Sequence, residues 1–173
     1  YPFERASTML RMARESGLSI AAMKRANELV HHSGPELDDR LNRIWAVMNG
    51  CIERGLSLDG QLPGSLKVKR RAKAIHQQLL RERGVNSSQP HVAYDWLSVY
   101  AMAVNEENAA GGKVVTAPTN GAAGVVPAVI RYYLDHCAGA EPTKVADFLL
   151  TAAAIGILIK HNASISGAEA GCQ

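Results

Sequence analysis

Two stretches of this 173-residue chain concentrate side chains that can do chemistry. The first, residues 116–124, is rich in Pro, Gly and hydroxyl groups and leads directly into a predicted helix. The free N–H groups of a helix start, with Thr119 and Asn120 as caps or donors, suit a carboxylate or a phosphate. A capped loop between two helices would use the same residues, so both interpretations stand. The stretch lacks the Lys-Ser/Thr ending of a phosphate-binding P-loop.

The second stretch, residues 160–173, follows a long apolar segment and is dense in His, Asn, Ser, Glu and Cys. These groups can ligate a metal, accept protons or hold a polar substrate. A lone cysteine is more often a small buried hydrophobe, and Cys51 and Cys137 fit that interpretation. Cys172 differs because Gly171 precedes it and permits close approach of a bulky inorganic partner. One cysteine by itself does not make a metal site.

The composition is that of an ordinary globular protein, with 47% hydrophobic and 20% charged residues and a formal net charge of +3. A chain of this length can bury roughly 70% of its unfolded surface, so it can form a core without disulfides or metals. Three cysteines, an odd number, favour a reducing cytoplasm over a secreted disulfide framework. The start, Tyr1-Pro2-Phe3, has no initiator Met and no signal architecture, so we expect a piece of a longer polypeptide. The uncharged run 114–130 is broken by Pro, Asn and Gly and predicts no transmembrane helix.

Positive charge is concentrated before Pro90, where 15 Lys/Arg stand against 9 Asp/Glu. Most of it lies in Lys67–Arg83, which we predict to be a basic helix. Such a helix could contact nucleic acid phosphates, an anionic membrane or an acidic partner domain. A solvated helix face explains the same residues, because the apolar positions follow helical spacing and aromatic residues for base stacking are missing.

Hydrophobic periodicity predicts an all-α domain over residues 1–173, a multi-helix bundle without βαβ alternation or internal repeats. The predicted helices run from a Ser7 cap to about Ser16, from a Ser19 cap to about His32, from Pro35 to Gly55, along the basic segment, and over about 92–110, 124–137 and 143–160. The last two are rich in Ala and Gly, so we expect them at the centre of the bundle, with the two chemical stretches at one end. The polar cluster 105–108 either lines a cleft or forms a solvated last turn.

Two segments together resemble a known family. Residues 105–128, Asn-Glu-Glu-Asn-Ala-Ala-Gly-Gly-Lys-Val-Val-Thr-Ala-Pro-Thr-Asn-Gly-Ala-Ala-Gly-Val-Val-Pro-Ala, and residues 162–173, Asn-Ala-Ser-Ile-Ser-Gly-Ala-Glu-Ala-Gly-Cys-Gln, closely resemble the iron–sulfur L-serine dehydratases. The resemblance covers the whole chain: Tyr1-Pro2-Phe3 looks like the entry to the catalytic α region of the single-chain bacterial type, and Leu62-Pro63-Gly64 precedes its basic segment.

The resemblance implies a cytoplasmic lyase that converts L-serine to pyruvate and ammonia with a [4Fe–4S] cluster and without pyridoxal phosphate. In that family three cysteines hold three irons, and the open fourth iron acts as a Lewis acid on the substrate hydroxyl. Cys172 matches the first cluster cysteine. The other two lie downstream of Gln173, and the N-terminal β region is also absent here. Ala123 stands where some relatives carry Cys, so that position is not a required ligand.

The resemblance also assigns substrate-binding residues. Thr119, Asn120 and Gly121 would hold the substrate carboxylate, an assignment that the helix-start argument supports independently. Ser164 and Ser166 would line the pocket beside the cluster. We expect the full-length protein to be a homodimer, with no nucleic acid or membrane partner.

Proton transfer and the alternatives involve other residues. His161 and Glu169 are the candidate proton-transfer groups, whereas Lys160 is typical of a helix C-terminal cation. A pyridoxal-phosphate lyase with Lys113 or Lys160 as the Schiff base is one alternative, and a nucleic-acid-binding helical module built on Lys67–Arg83 is another. We expect the 173 residues alone to fold but to be inactive, because two cluster ligands are missing.

Overall fold

The computed structural model describes residues 1–83, 91–112 and 122–163. These residues form an all-α fold, as predicted, whose only strand-like feature is an isolated antiparallel bridge between Gln61 and Lys69. The helices of the described residues are α1 (Ala6–Ser16), α2 (Ile20–Glu28), α3 (Gly34–Ser57), α4 (Ala72–Glu82), α5 (Val92–Ala109), α6 (Val125–His136) and α7 (Lys144–Asn162).

The chain divides into two compact units. The first unit contains residues 1–43 and 141–173, and the second contains residues 44–140. The expectation of one helical domain over residues 1–173 stays a prediction.

In the first unit, α7 and α1 pack against α2. Met9, Met23, Ala154 and Leu158 form a buried cluster there, with Met23 and Ala154 fully buried. The Ser19 side chain caps α2, as predicted, by accepting a hydrogen bond of 3.1 Å from the N–H of Ala22. Replacing such a cap costs about 1 kcal/mol, so this bond defines where α2 begins.

In the second unit, α5 is the central helix. Its Val99, Tyr100, Ala103 and Val104 are at most 1% exposed, and α4 and α6 both pack against it. Trp96 of α5 is a further buried member of this core. The other members come from the neighbouring helices: Cys51, Ile52 and Leu56 of α3, Ala72 and Leu79 of α4, and Ala128 of α6.

Two predicted helix boundaries in the first unit are wrong. The first helix does not begin at a Ser7 cap: Arg5 holds the N-cap position without a side-chain bond, and its carbonyl accepts the first helical hydrogen bond, from Met9 N–H at 3.1 Å. The second helix ends at Glu28 and not near His32. There, His31 N–H bonds the Glu28 carbonyl three residues earlier, so the chain tightens into a turn.

Gly55 does not end α3, which continues to Ser57. A Cβ atom at this position would lie 2.3 Å from the backbone oxygen of Ala103 on α5. The glycine therefore permits the close contact of two helices, and the helical hydrogen bonds run through it.

The predicted basic helix starts too early. Lys67–Arg71 precede α4, and Lys67 has a positive φ of 49° that a helix cannot contain. Backbone hydrogen bonds from Leu62 to Val68 and from Arg70 to Gly60 tie these residues into a bridged loop. This loop brings Arg70 to α5, where its buried guanidinium group pairs with a buried carboxylate.

The two Ala- and Gly-rich helices lie in different units, α6 in the second and α7 in the first. Phe148, Ile155 and Ile159 of α7 are 38%, 46% and 52% exposed, so the described residues do not enclose this helix as predicted. Among the described residues, α7 is also the one helix long and apolar enough to cross a membrane by length and composition alone. Core helices of soluble proteins pass the same test.

Candidate functional site

Most of the predicted site residues lie outside the described residues, so their arrangement stays a prediction. They are Thr119, Asn120, Gly121, Ser164, Ser166, Glu169 and Cys172. His161 is described: it lies in the last turn of α7, with its Nε2 3.8 Å from Glu4 Oε2. Both side chains are more than half exposed. The next residue, Asn162, donates a hydrogen bond of 3.2 Å to the Glu4 carbonyl and so fixes the end of α7 on the N-terminal segment.

The structure describes both flanks of the 113–121 stretch, and each flank is held against α5 by a glycine. On one side, a Cβ atom at Gly112 would lie 2.9 Å from both the backbone oxygen and the Oε2 atom of Glu107. On the other side, a Cβ atom at Gly124 would lie 2.6 Å from the backbone oxygen of Ala101. Gly112 and Gly124, which flank this stretch in the sequence, therefore both lie against α5.

The polar cluster at the end of α5 is not a solvated last turn. Glu106 and Glu107 are 5% and 4% exposed. Glu107 Oε1 lies 3.0 Å from Arg70 Nη2, and Glu107 Oε2 accepts a hydrogen bond of 3.0 Å from Arg54 Nε. The Arg70 side chain is 7% exposed, whereas that of Arg54 is 47% exposed. Two arginines thus neutralise one buried carboxylate.

The neighbouring carboxylate, Glu106, caps α4. Its Oε1 atom accepts hydrogen bonds of 2.6 Å from the Arg71 N–H and 3.3 Å from the Ala72 N–H. A carboxylate at a helix N-terminus is stabilised by the free N–H groups and the helix dipole. Adjacent glutamates of α5 therefore hold adjacent residues at the start of α4.

Two charged atoms of this group, which we call the Arg70–Glu106 cluster (Arg54, Arg70, Glu106, Glu107), have no hydrogen-bond partner. They are Arg70 Nη1 and Glu106 Oε2, and both are shielded from solvent. The sequence motifs give no direct signal for these atoms, because Arg70 and Glu106 are 36 positions apart. The sequence indicates them only indirectly, through the polar cluster 105–108, for which a cleft was one of two alternatives.

A second group of ionisable side chains joins α4, α5 and α6. The Tyr100 hydroxyl donates a hydrogen bond of 2.8 Å to Asp135 Oδ2 and lies 3.2 Å from His136 Nε2. Trp96 packs against His136 and, edge-on, against His76, with ring centroids 4.5 and 5.6 Å apart. Burial raises the pKa of the Tyr100 phenol and lowers the pKa of both imidazoles. These rings therefore remain neutral near pH 7 and serve packing.

The described residues do not provide a site for an iron–sulfur cluster. No group of three or more His, Cys, Asp or Glu side chains in residues 1–83, 91–112 and 122–163 is arranged to hold a metal ion. Of the two cysteines there, Cys51 is buried and Cys137 is exposed. Burial raises the pKa of the Cys51 thiol, which disfavours the thiolate that iron requires.

Comparison with known proteins gives a match over almost the whole chain. Residues 15–173 match the family described as serine dehydratase alpha chain. The chain is 53% identical to an L-serine dehydratase of Streptomyces coelicolor and 49% identical to L-serine dehydratase 2 of Escherichia coli, each over 173 residues. It is 43% identical, over the same length, to an L-serine dehydratase of Haemophilus influenzae. In each case all of this chain is covered, whereas it spans 37–38% of the relative's length.

Proposed function

The chain belongs to the serine dehydratase alpha chain family, and on this basis we propose that it forms the larger part of the helical α domain of an L-serine dehydratase. The observation that carries the proposal is the match to several L-serine dehydratases over all 173 residues, including both chemical stretches. The reaction is the elimination of water from L-serine. The aminoacrylate formed becomes an imine, which hydrolyses to pyruvate and ammonia.

The residues of this chain would bind the substrate and move its protons. Thr119, Asn120 and Gly121 hold the substrate carboxylate at the start of α6, where free N–H groups favour an anion. The close contacts of Gly112 and Gly124 with α5 support this role, because these two residues flank Thr119–Gly121 in the sequence. Ser164 and Ser166 line the pocket.

His161 and Glu169 are the proposed groups for removing the Cα proton and protonating the leaving hydroxide. His161 lies in the last turn of α7, three residues before the 164–173 stretch in the sequence, which supports this proposal. Its side chain is 52% exposed, which supports a position that is accessible from outside α7.

The cofactor and the further partners are proposals from the resemblance. A [4Fe–4S] cluster, with Cys172 as one thiolate ligand, would supply Lewis-acid chemistry at the serine hydroxyl. The other cluster ligands and a β domain would come from outside this chain. We further propose a cytoplasmic homodimer without pyridoxal phosphate, nucleic acid or membrane partners. The exposed place of Lys160 in the last turn of α7 supports a cation at a helix end over a Schiff base.

Iron content tests the cluster ligand. In a polypeptide of the relatives' length that carries this chain, purified without oxygen, Cys172→Ser should lose bound iron and the visible absorbance of the cluster. The matched control is Cys137→Ser, an exposed cysteine at the end of α6, which should keep both. Full iron content in Cys172→Ser would remove Cys172 from the site.

A further inference from the structure

Arg70 Nη1 and Glu106 Oε2 are an unpaired donor and an unpaired acceptor of opposite charge within one cluster. Each residue is fixed by its other polar atom. Arg70 Nη2 pairs with Glu107, which follows Glu106 in the sequence. Glu106 Oε1 accepts a hydrogen bond from the N–H of Arg71, which follows Arg70. Both side chains therefore belong to the junction between the start of α4 and the end of α5.

A charged atom that is buried without a partner destabilises a fold, because its lost hydration is not replaced. Two such atoms in one cluster are unusual, since native interiors pair nearly all buried polar groups. Arg70 and Glu106 are not within ion-pair distance of each other, because each is drawn to a different partner. This arrangement is expected where a ligand completes the bonding.

The charges of the cluster define the ligand. Two arginines and two glutamates leave no net charge, with one donor and one acceptor free. A phosphate or a metal cation would each meet two side chains of its own sign. A group that is itself neutral overall, with one anionic and one cationic end, matches both free atoms.

We propose that Arg70 and Glu106 bind the zwitterionic end of an α-amino acid. Glu106 Oε2 accepts a hydrogen bond from the α-ammonium group, and Arg70 Nη1 donates one to a carboxylate oxygen. The inference rests on the proposed function in taking L-serine as the amino acid. It adds an ammonium-binding residue, Glu106, and a carboxylate-binding residue, Arg70, to those proposed above.

Both free atoms are covered, so the ligand enters only when the junction opens locally. The apparent affinity is then reduced by the fraction of molecules that are open.

Comparing the affinities of two ligands distinguishes the proposed ammonium contact of Glu106 from the proposed carboxylate contact of Arg70. L-serine and 3-hydroxypropanoate share the carboxylate and hydroxyl, but only L-serine has the ammonium group. The experiment measures both affinities by calorimetry on the relatives'-length polypeptide for the parent, Glu106→Gln, Arg70→Lys and the exposed control Glu82→Gln. Glu106→Gln keeps an amide oxygen to cap α4, so helix content measured by circular dichroism should be unchanged.

We expect Glu106→Gln to weaken L-serine binding about tenfold or more, as for one charge-assisted hydrogen bond, and to leave the affinity for 3-hydroxypropanoate within about twofold of the parent. Arg70→Lys should weaken both ligands, and Glu82→Gln neither. Unchanged L-serine affinity in Glu106→Gln, or absence of L-serine binding, overturns the inference and leaves a buried water as the partner. If Glu106→Gln does not fold, unchanged affinities in Arg70→Lys overturn it equally. Pyruvate formation tests the proposed function separately.

Discussion

Arg70 and Glu107 form a buried ion pair in which Arg70 Nη2 lies 3.0 Å from Glu107 Oε1. The pair joins the residue that precedes α4 to the last turns of α5. The carbonyl of Glu107 also accepts a hydrogen bond of 2.8 Å from the N–H of Gly112. Glu107 thus joins Arg70, through its side chain, and Gly112, through its backbone, to the end of α5.

Removing the charge of Glu107 should strongly destabilise the second unit. Glu107→Ala leaves the buried Arg70 guanidinium without its partner, and breaking a buried pair in this way costs about 3–5 kcal/mol. The half-exposed Arg54 adds little to this figure. Urea unfolding followed by circular dichroism measures the change. Glu15→Ala, which removes an exposed ion pair with Arg11 in α1, should cost less than about 1 kcal/mol; equal effects of the two variants would contradict the account.

Gly55→Ala should destabilise the contact between α3 and α5. The added Cβ atom would lie 2.3 Å from the Ala103 backbone oxygen, so the helices must separate, at a cost of about 2 kcal/mol or more. Gly156→Ala is the matched control, since it lies within a helix with no atom near its Cβ position. It should leave stability unchanged or raise it by up to about 1 kcal/mol. Thermal unfolding of Gly55→Ala and Gly156→Ala measures the change in stability of each variant.

Stability should fall as the pH is lowered below about 6.5. Burial lowers the pKa of His76 and His136 in the folded chain, from an ordinary value of 6.5. The unfolded chain therefore binds protons first, and the free energy of unfolding decreases until the pH reaches the lower folded pKa values. Urea titrations between pH 7.5 and 5.5 measure this slope. His136→Asn should reduce it, and substitution of the exposed His91 should not; a slope unaffected by His136→Asn would contradict the assignment.

The two described cysteines should differ in reactivity. Iodoacetamide should label Cys137, which is exposed, but not Cys51, whose side chain is buried and whose thiol pKa is raised by burial. Peptide mass spectrometry on the folded chain gives the extent of labelling at each site. In urea both should react, which confirms that folding protects Cys51. Rapid labelling of Cys51 without urea would place it outside the core.

Helix positions were largely predictable from the sequence because they follow from the spacing of apolar residues and from capping and helix-ending residues. The Ser19 cap and the extent of α5 are local properties and agree with the structure. The Gly55 prediction was wrong because a glycine that ends a helix and one that admits a neighbouring helix look the same in one sequence. Only the position of Ala103 distinguishes them.

The candidate site was less predictable for the same reason. Glu106 and Glu107 carry the polar character of a surface turn, and nothing near them in sequence indicates that Arg70 and the start of α4 will bury them. The roles of Thr119, Cys172 and their neighbours rest on the resemblance to a family, because side chains of these types occur in many capped loops.

The central claim is that the chain forms part of an L-serine dehydratase. The most direct measurement is pyruvate formation from L-serine by the relatives'-length polypeptide that carries this chain, prepared without oxygen and loaded with iron and sulfide. We predict equal amounts of pyruvate and ammonia, with no activity from the 173 residues alone. Absence of pyruvate from a folded, iron-loaded preparation, or full activity of the 173-residue chain, would contradict the account.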